Sequence, residues 1–519
     1  MAQKATRGGI FLFVGYAIST VILAVGAIVV ARLLGPSDYG RYTLATVIPT
    51  LLISLADVGM NSALIRLPAR LMAERNYARA NRLIRLGFLL KLATSAVAFI
   101  ICYLAAPAIA TTVLNRPALV PYVRIASLMI LTQPLVDGTV NAFIGQDLMQ
   151  YSASVQITWS TLKGVLQPVI VLVGFGIAGA LYGYVFALAT AGLVGASILF
   201  ARHVRSPGQA TDSVSTDLHA LLGYGLPLYI ASVTAMFLIQ YQNIVLARFA
   251  SNVEVGNFNA TWNFTSFIMI LVYPVTTSIF PMFSKLDPRT QRSDLARGFV
   301  LAVKYTSLLM IPASVAVIVF SRDLIYLTYG SGYVLAPQYL VLLAALYLLT
   351  AISYLVLGSF LNGVADTKNV LKMSVVTLAV YLPLGPVLAW LWGPFGLLIA
   401  YILSNATSTL YGLRQTSVKH DTRPDLRASG RILLAALGAA VPTLGLVQLD
   451  GAGVGVVNLV LGGLLYVGVY LNLAPILGAV EKQDILNLRT LLGGTRIVAV
   501  LVNPVFDYES KLLSAMKRK

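Results

Sequence analysis

The sequence predicts an all-α integral membrane protein. Fourteen transmembrane helices form two parallel-repeat six-helix lobes around a central cavity, followed by two C-terminal helices. Three observations lead there. Hydrophobic residues make up 58% of the 519, charged residues 11%, and the mean hydropathy is +0.82; soluble domains run to about 45–50% apolar and about 25% charged. Lys and Arg segregate to one side of the topology that hydropathy gives. The first twelve apolar runs repeat themselves after about 216 residues. This composition excludes a soluble enzyme, a coiled coil, a disordered chain and a disulfide scaffold. The single cysteine, Cys102, lies in an apolar run, and His203, His219 and His420 fall in polar linkers, so no His/Cys metal cluster is expected.

Crossing ~30 Å of hydrocarbon takes about 20 apolar residues. Such runs lie near 10–31, 42–65, 86–110, 122–145, 153–174, 177–200, 221–246, 257–282, 300–321, 336–361, 370–391, 395–414, 430–449 and 454–478. The first is too long for a signal-peptide core and is expected to be an uncleaved anchor. None shows the two-residue alternation of barrel strands. With the N-terminus placed in the cytoplasm, thirty Lys and Arg fall inside and six outside, and Lys163 sits mid-span, which accounts for all 37. Cationic loops stay on the cytoplasmic side. A multi-pass protein of the cell membrane with both termini cytoplasmic is therefore expected. The net charge of +18 reads as a topology signal with some contact to anionic membrane lipids, and no nucleic-acid partner is expected.

Residues 28–42 align without gaps on 244–258. Ile28, Val29, Ala31, Arg32 and Gly40 recur as Ile244, Val245, Ala247, Arg248 and Gly256. Pro168 recurs as Pro386, and Gly176, Gly179 and Tyr184 recur as Gly393, Gly396 and Tyr401. Generic apolar similarity would not preserve Arg and Gly spacing. An even number of spans per copy gives both copies one orientation, hence a pseudo-two-fold along the membrane normal, as in secondary transporters. The expected organisation is a first lobe at 1–201, a cytoplasmic linker at 202–220, a second lobe at 221–415, a second linker at 416–429, helices 13–14 within 430–478 and a cytoplasmic or interfacial tail at 479–519.

The stretch from Ala31 to Tyr42, with Gly35-Pro36 and Asp38-Tyr39-Gly40 at its centre, resembles the signature of polysaccharide flippases, within the multidrug/oligosaccharidyl-lipid/polysaccharide exporter superfamily. Asp57-Val58-Gly59, Pro281 to Ser284 and Gly176 with Gly179 are similar to that branch too, and the extra pair of spans resembles its fourteen-helix members. The resemblance implies movement of an isoprenoid-(pyro)phosphate-linked oligosaccharide from the inner to the outer leaflet. It also implies neighbouring glycan-assembly enzymes as partners. Two alternatives stay open: a cation-coupled multidrug exporter of the same fold, and a membrane glycosyltransferase or polymerase. The second is disfavoured because the outer loops are short. No Gly-Lys dipeptide occurs, so a P-loop for ATP is absent. No catalytic residues, metal or organic cofactor are expected; coupling to H+ or Na+ stays open.

Asp57, Lys91, Asp137 and Lys163 lie inside first-lobe spans, where charge is costly and functional by default. The aligned second-lobe positions are Tyr273, Ser307, Leu355 and Tyr381, so the fold does not require these charges. Asp57, Asp137 and Lys163 fall at similar depth, whereas Lys91 lies shallower and is expected to snorkel to the inner surface. Asp137 and Lys163, on consecutive antiparallel spans, are expected to pair, leaving Asp57 to exchange a proton or bind Na+. The lysines could instead attract the carrier's phosphate. Arg32 and Arg248, at the outer ends of spans 1 and 7, either meet that phosphate or snorkel. For sugar contact the candidates are Gln240, Asn243, Asn259, Trp262 and Asn263, because amides and an aromatic face suit a hydroxyl-rich ligand; hydrogen bonding among helices is the competing reading.

Overall fold

The computed structural model describes residues 2–203, 213–264, 283–284, 286, 290–449, 455–492 and 496–516. Every regular element among them is helical. Most of predicted span 8, the start of the Pro281–Ser284 motif and Tyr273 lie outside the described residues. Among the described residues, eight helical segments are long and apolar enough to cross a membrane, or nine if a pair bent by 51° at Ser353 counts as one span. The chain is a multi-pass membrane protein.

The helices begin with α1, Ala2–Ala56, which breaks at Gly35 with φ 70°. Pro36 then starts the next stretch of helix, where its missing N–H costs nothing. The break separates predicted spans 1 and 2. Next come α2, Met60–Ala73, α3, Tyr77–Ala108, α4, Val120–Gly145, α5, Met149–Ile170, and α6, Gly176–His203. Gly176 has φ 51° at the turn between α5 and α6. After α7, Val214–Phe249, and α8 over 252–264 follow α9, Arg292–Val319, α10, Ser321–Thr328, α11, Ala336–Tyr347, α12, Tyr354–Gly363, and α13, Thr367–His420. Inside α13, Gly393 breaks the helix with φ 58°, at the position the sequence repeat aligns with Gly176. The final elements are α14, Leu426–Leu449, α15, Val456–Ile476, α16, Lys482–Leu492, and α17, Arg496–Ala515.

The chain forms two compact units, 1–260 and 261–519. In the first, Leu64, Ile84, Met129, Phe143 and Leu181 build a core from α2, α3, α4 and α6. Small residues let backbones meet: a Cβ on Gly26 would lie 2.8 Å from the Cα of Gly164, joining α1 to α5. A second crossing joins α1 to α8. A Cβ on Gly40 would lie 1.9 Å from the Asn252 carbonyl oxygen and 2.9 Å from the Gly256 nitrogen. A Cβ on Gly256 would lie 1.8 Å from the Pro36 oxygen and 3.1 Å from the Gly40 nitrogen. Gly40 and Gly256 share one repeat position, as do Pro36 and Asn252. At one end of α7, the buried Asp217 takes Arg79 Nε at 2.9 Å and Arg82 Nε at 2.7 Å.

The second unit packs α9, α14, α15 and the tail around Ile311, Val315, Ile432, Tyr466, Phe506 and Leu513. Lys304 Nζ meets Asp484 Oδ2 at 2.6 Å, and Asn487 donates to the Tyr305 hydroxyl at 2.8 Å. The tail is thus docked through α16 and α17 rather than loose. His420, expected in a linker, ends α13 as a buried residue 3.5 Å from Asp366. Glu509 on α17 is 6% exposed. Burial, and secondarily the Asp484 carboxylate, push its carboxyl up to about 7. A raised carboxyl favours the protonated, docked tail. Its contribution is full below the free-carboxyl range near 4.5, falls as pH rises, and is lost above about 7. Proteolysis of α17 should therefore be faster at pH 8 than at pH 5.5, and Glu509→Gln should abolish the difference. Equal cleavage of the wild type at both values would refute this coupling.

Candidate functional site

The site grows from a break in a span. Helix α1 ends at Ala56 and α2 starts at Met60, with Val58 at φ 45° and Gly59 at φ 79°. Gly59 is required twice over, since a Cβ there would also lie 2.2 Å from the Gly225 carbonyl oxygen. The break frees carbonyls that need donors. The Thr94 hydroxyl donates to Ala56 O at 2.6 Å and the Tyr229 hydroxyl to Leu55 O at 2.7 Å. Asp57 sits at this break, with its Oδ2 3.4 Å from the Asn61 N–H.

Lys91 is the centre of the cluster. Its Nζ lies 2.9 Å from Asp57 Oδ1 and 3.8 Å from Asp137 Oδ2, and it donates to Asn61 Oδ1. Asn141 donates to the same Asn61 oxygen at 2.7 Å, and Gln133 to Asp137 Oδ1 at 2.9 Å. Lys91 is 2% exposed, so the expectation of a snorkelling side chain is corrected. The reason is helix length: α3 starts at Tyr77, which puts Lys91 fourteen residues, about 21 Å, along it. Asp57 Oδ1 is in ionic contact yet receives no directed hydrogen bond. With all three groups ionised, two carboxylates face one ammonium, a net charge of −1.

The expected Asp137–Lys163 pair does not form. Asp137 is held by Lys91 and Gln133, while Lys163 Nζ stands 3.7 Å from the Tyr184 ring centroid and 5.6 Å from that of Trp159. Such cation–π contacts give about 2 kcal/mol when desolvated, short of the several kcal/mol that burying a charge costs. Nearby, Gln167 donates to the Tyr42 hydroxyl at 3.0 Å and to Ala180 O at 2.7 Å. Sequence reasoning missed Asn61, Gln133 and Asn141. For Gln133 and Asn141 the signal was their four-residue spacing from Asp137, which puts all three on one face of α4; Asn61 gave no such signal, since the helix break lies between it and Asp57.

The amide candidates are occupied locally. Asn243 donates to Ile239 O at 3.3 Å and Asn259 to Val255 O at 3.0 Å, and their side chains lie 3.5 Å apart. Gln240 is buried, 3.8 Å from Met236 Sδ. In the second unit Trp262 meets the Tyr401 ring edge-on at 5.3 Å, and Asn263 is half-buried. Arg32 and Arg248 are exposed near the ends of their helices. Gln240, Asn243 and Asn259 thus make these contacts outside the Asp57–Lys91–Asp137 cluster.

A family model described as polysaccharide biosynthesis protein matches residues 5–287, and a MatE model matches 227–387. A probable low-salt glycan biosynthesis flippase of Haloferax volcanii is 23% identical over 312 residues, 55% of this chain and 64% of that protein. A probable flippase of the same organism is 24% identical over 57% of this chain and 61% of its own length. The chain thus spans less than two thirds of these two relatives. An Escherichia coli lipopolysaccharide biosynthesis protein is 23% identical over 76% of this chain and 78% of its own. Among solved structures, the lipid II flippase MurJ in an inward closed conformation superposes with TM-score 0.72 at 14% identity, covering 90% of this chain and 98% of that one. An inward-facing multidrug resistance transporter gives 0.60 at 17% identity, over 79% and 99%. These two likenesses establish a shared fold. With more than half of its length matched by the first model, the chain belongs to the polysaccharide biosynthesis protein family.

Proposed function

We propose that the protein is a secondary transporter that flips an isoprenoid-(pyro)phosphate-linked oligosaccharide from the inner to the outer leaflet by alternating access of two lobes. The observation that carries this reading is the pair of relatives named as flippases, matched over more than half of this chain. The MurJ-like fold supports it. The reading includes fourteen spans, two six-helix lobes with a C-terminal pair, and cytoplasmic termini. Lipid-linked oligosaccharide and membrane lipids are its partners, with glycan-assembly enzymes nearby. A sugar head too polar for hydrocarbon needs a shielded path, which two rocking lobes supply.

Transport is coupled to H+ or Na+ at Asp57. The undonated Asp57 Oδ1 supports this assignment, as does the net −1 that the cluster would carry with all three groups ionised. A cation there would balance the charge, and an ionisable residue inside a span marks an ion pathway by default. The MatE match at 227–387 favours one rival, a cation-coupled drug exporter. Proteoliposomes loaded with a fluorescent lipid-linked oligosaccharide discriminate the two. A flippase moves the label to the opposite leaflet, faster under an imposed H+ or Na+ gradient. Cationic-dye export without lipid movement would replace this reading with the rival.

A further inference from the structure

We infer that Asp217, held between Arg79 and Arg82, is a releasable latch. It shuts one end of the seam between α7 and the first repeat copy, and it opens to admit substrate. The inference rests on the flippase reading, which places this end on the cytoplasmic side. By the sequence repeat α7 opens the second copy, yet it packs within the same compact unit as the helices of the first. Four residues of α7, spaced by four and so on one face, make the contact. Asp217 meets Arg79 Nε at 2.9 Å and Arg82 Nε at 2.7 Å. Leu221 is buried in a core with Met60, Ala63 and Leu83. Gly225 abuts Gly59 backbone to backbone, and the Tyr229 hydroxyl donates to Leu55 O. Leu221 is the one aliphatic side chain of the four. Asp217 is fully buried, whereas the side chains of Arg79 and Arg82 are 25% and 22% exposed, so water already reaches the basic half of the latch. In the second copy the position aligned with Arg79 is Leu295, buried in a core with Phe283 and Phe299. The fold therefore does not need charge there. An apolar joint would hold as well or better, because desolvating two ions offsets most of their attraction. What the ion pair adds is ease of parting: separated charges are rehydrated, while separated apolar surface is exposed at full cost. A buried carboxylate where an aliphatic side chain would serve suits a joint that opens and closes in every cycle.

The test uses the full-length chain with its buried cysteine removed, Cys102→Ala, in proteoliposomes holding a fluorescent lipid-linked oligosaccharide. Arg82→Cys and Asp217→Cys are joined by a short bifunctional thiol reagent that a reductant releases. Leaflet transfer should stop when the bridge is made and recover on reduction, and the reagent should not slow either single-cysteine variant. A second variant needs no bridge. Arg79→Leu, Arg82→Gln and Asp217→Leu together copy the apolar joint; this protein should melt no lower than the wild type yet transfer lipid about tenfold more slowly. Undiminished transfer in the bridged protein, or in the well-folded apolar variant, means that α7 stays on α3 throughout and overturns the latch alone. A wild type that moves no lipid overturns the flippase reading. The latch is then judged without transport, by labelling of Leu221→Cys with a membrane-impermeant thiol reagent. Asp217→Asn should speed that labelling several-fold, and labelling at an unchanged rate overturns the latch.

Discussion

Asp57→Asn is expected to abolish transport, or its dependence on the ion gradient, in a protein that remains folded. The amide keeps the shape at the helix break. The remaining Asp137–Lys91 pair is charge-balanced, so thermal stability should be unchanged or higher. Lys91→Met should behave oppositely. It strands two carboxylates beside each other, and breaking a buried pair costs about 3–5 kcal/mol. The expected result is a melting temperature lower by roughly 10 °C and little protein in the membrane. Adding Asp57→Asn and Asp137→Asn to Lys91→Met should restore the level without restoring transport. The measurements are detergent thermal melts and leaflet transfer in proteoliposomes. Transport by Asp57→Asn at the wild-type rate, with the same gradient response, would remove the coupling role.

Gly256→Leu is expected to be the most damaging change at the α1–α8 crossing. The first atom of any side chain there would lie 1.8 Å from the Pro36 carbonyl oxygen, and backbone on both sides leaves nothing flexible to give way. Even Gly40→Ala and Gly256→Ala should each destabilise by about 3 kcal/mol, the upper part of the overpacking range, and the leucine by more. Gly430→Ala, in α14 with open space around it, is the control; it should stabilise by up to about 1 kcal/mol. Unchanged melting of Gly256→Leu would mean that the two helices do not touch in the membrane.

Hydropathy made the helices legible, since long apolar runs have few alternatives in water. The glycines at 35, 176 and 393 marked real chain breaks because few other residues tolerate those backbone angles. Asp57-Val58-Gly59 was legible as a motif but not as an interruption of a span; the hydropathy of 42–65 runs straight through it. The partner of Lys163 was misread because depth counted along straight spans cannot choose between lysines on neighbouring helices. Helix α3 begins nine residues before its apolar run, which carried Lys91 to the depth of both carboxylates. The meeting of Gly40 with Gly256 depends on a crossing between distant segments, and no local pattern announces it.

That meeting has an evolutionary side. A residue facing its own counterpart is what the axis of a symmetric dimer produces, an isologous contact in which one surface patch serves both partners. A polypeptide holding only one copy of the duplicated unit would need a second molecule of itself to bury Gly40. Once fused, the two copies no longer need to match. One copy can carry an ammonium where the other carries a tyrosine, as at Lys163 and Tyr381. The axis positions have no such freedom, for enlarging either glycine displaces the backbone of the other. Divergence in this protein is therefore expected to grow with distance from the axis.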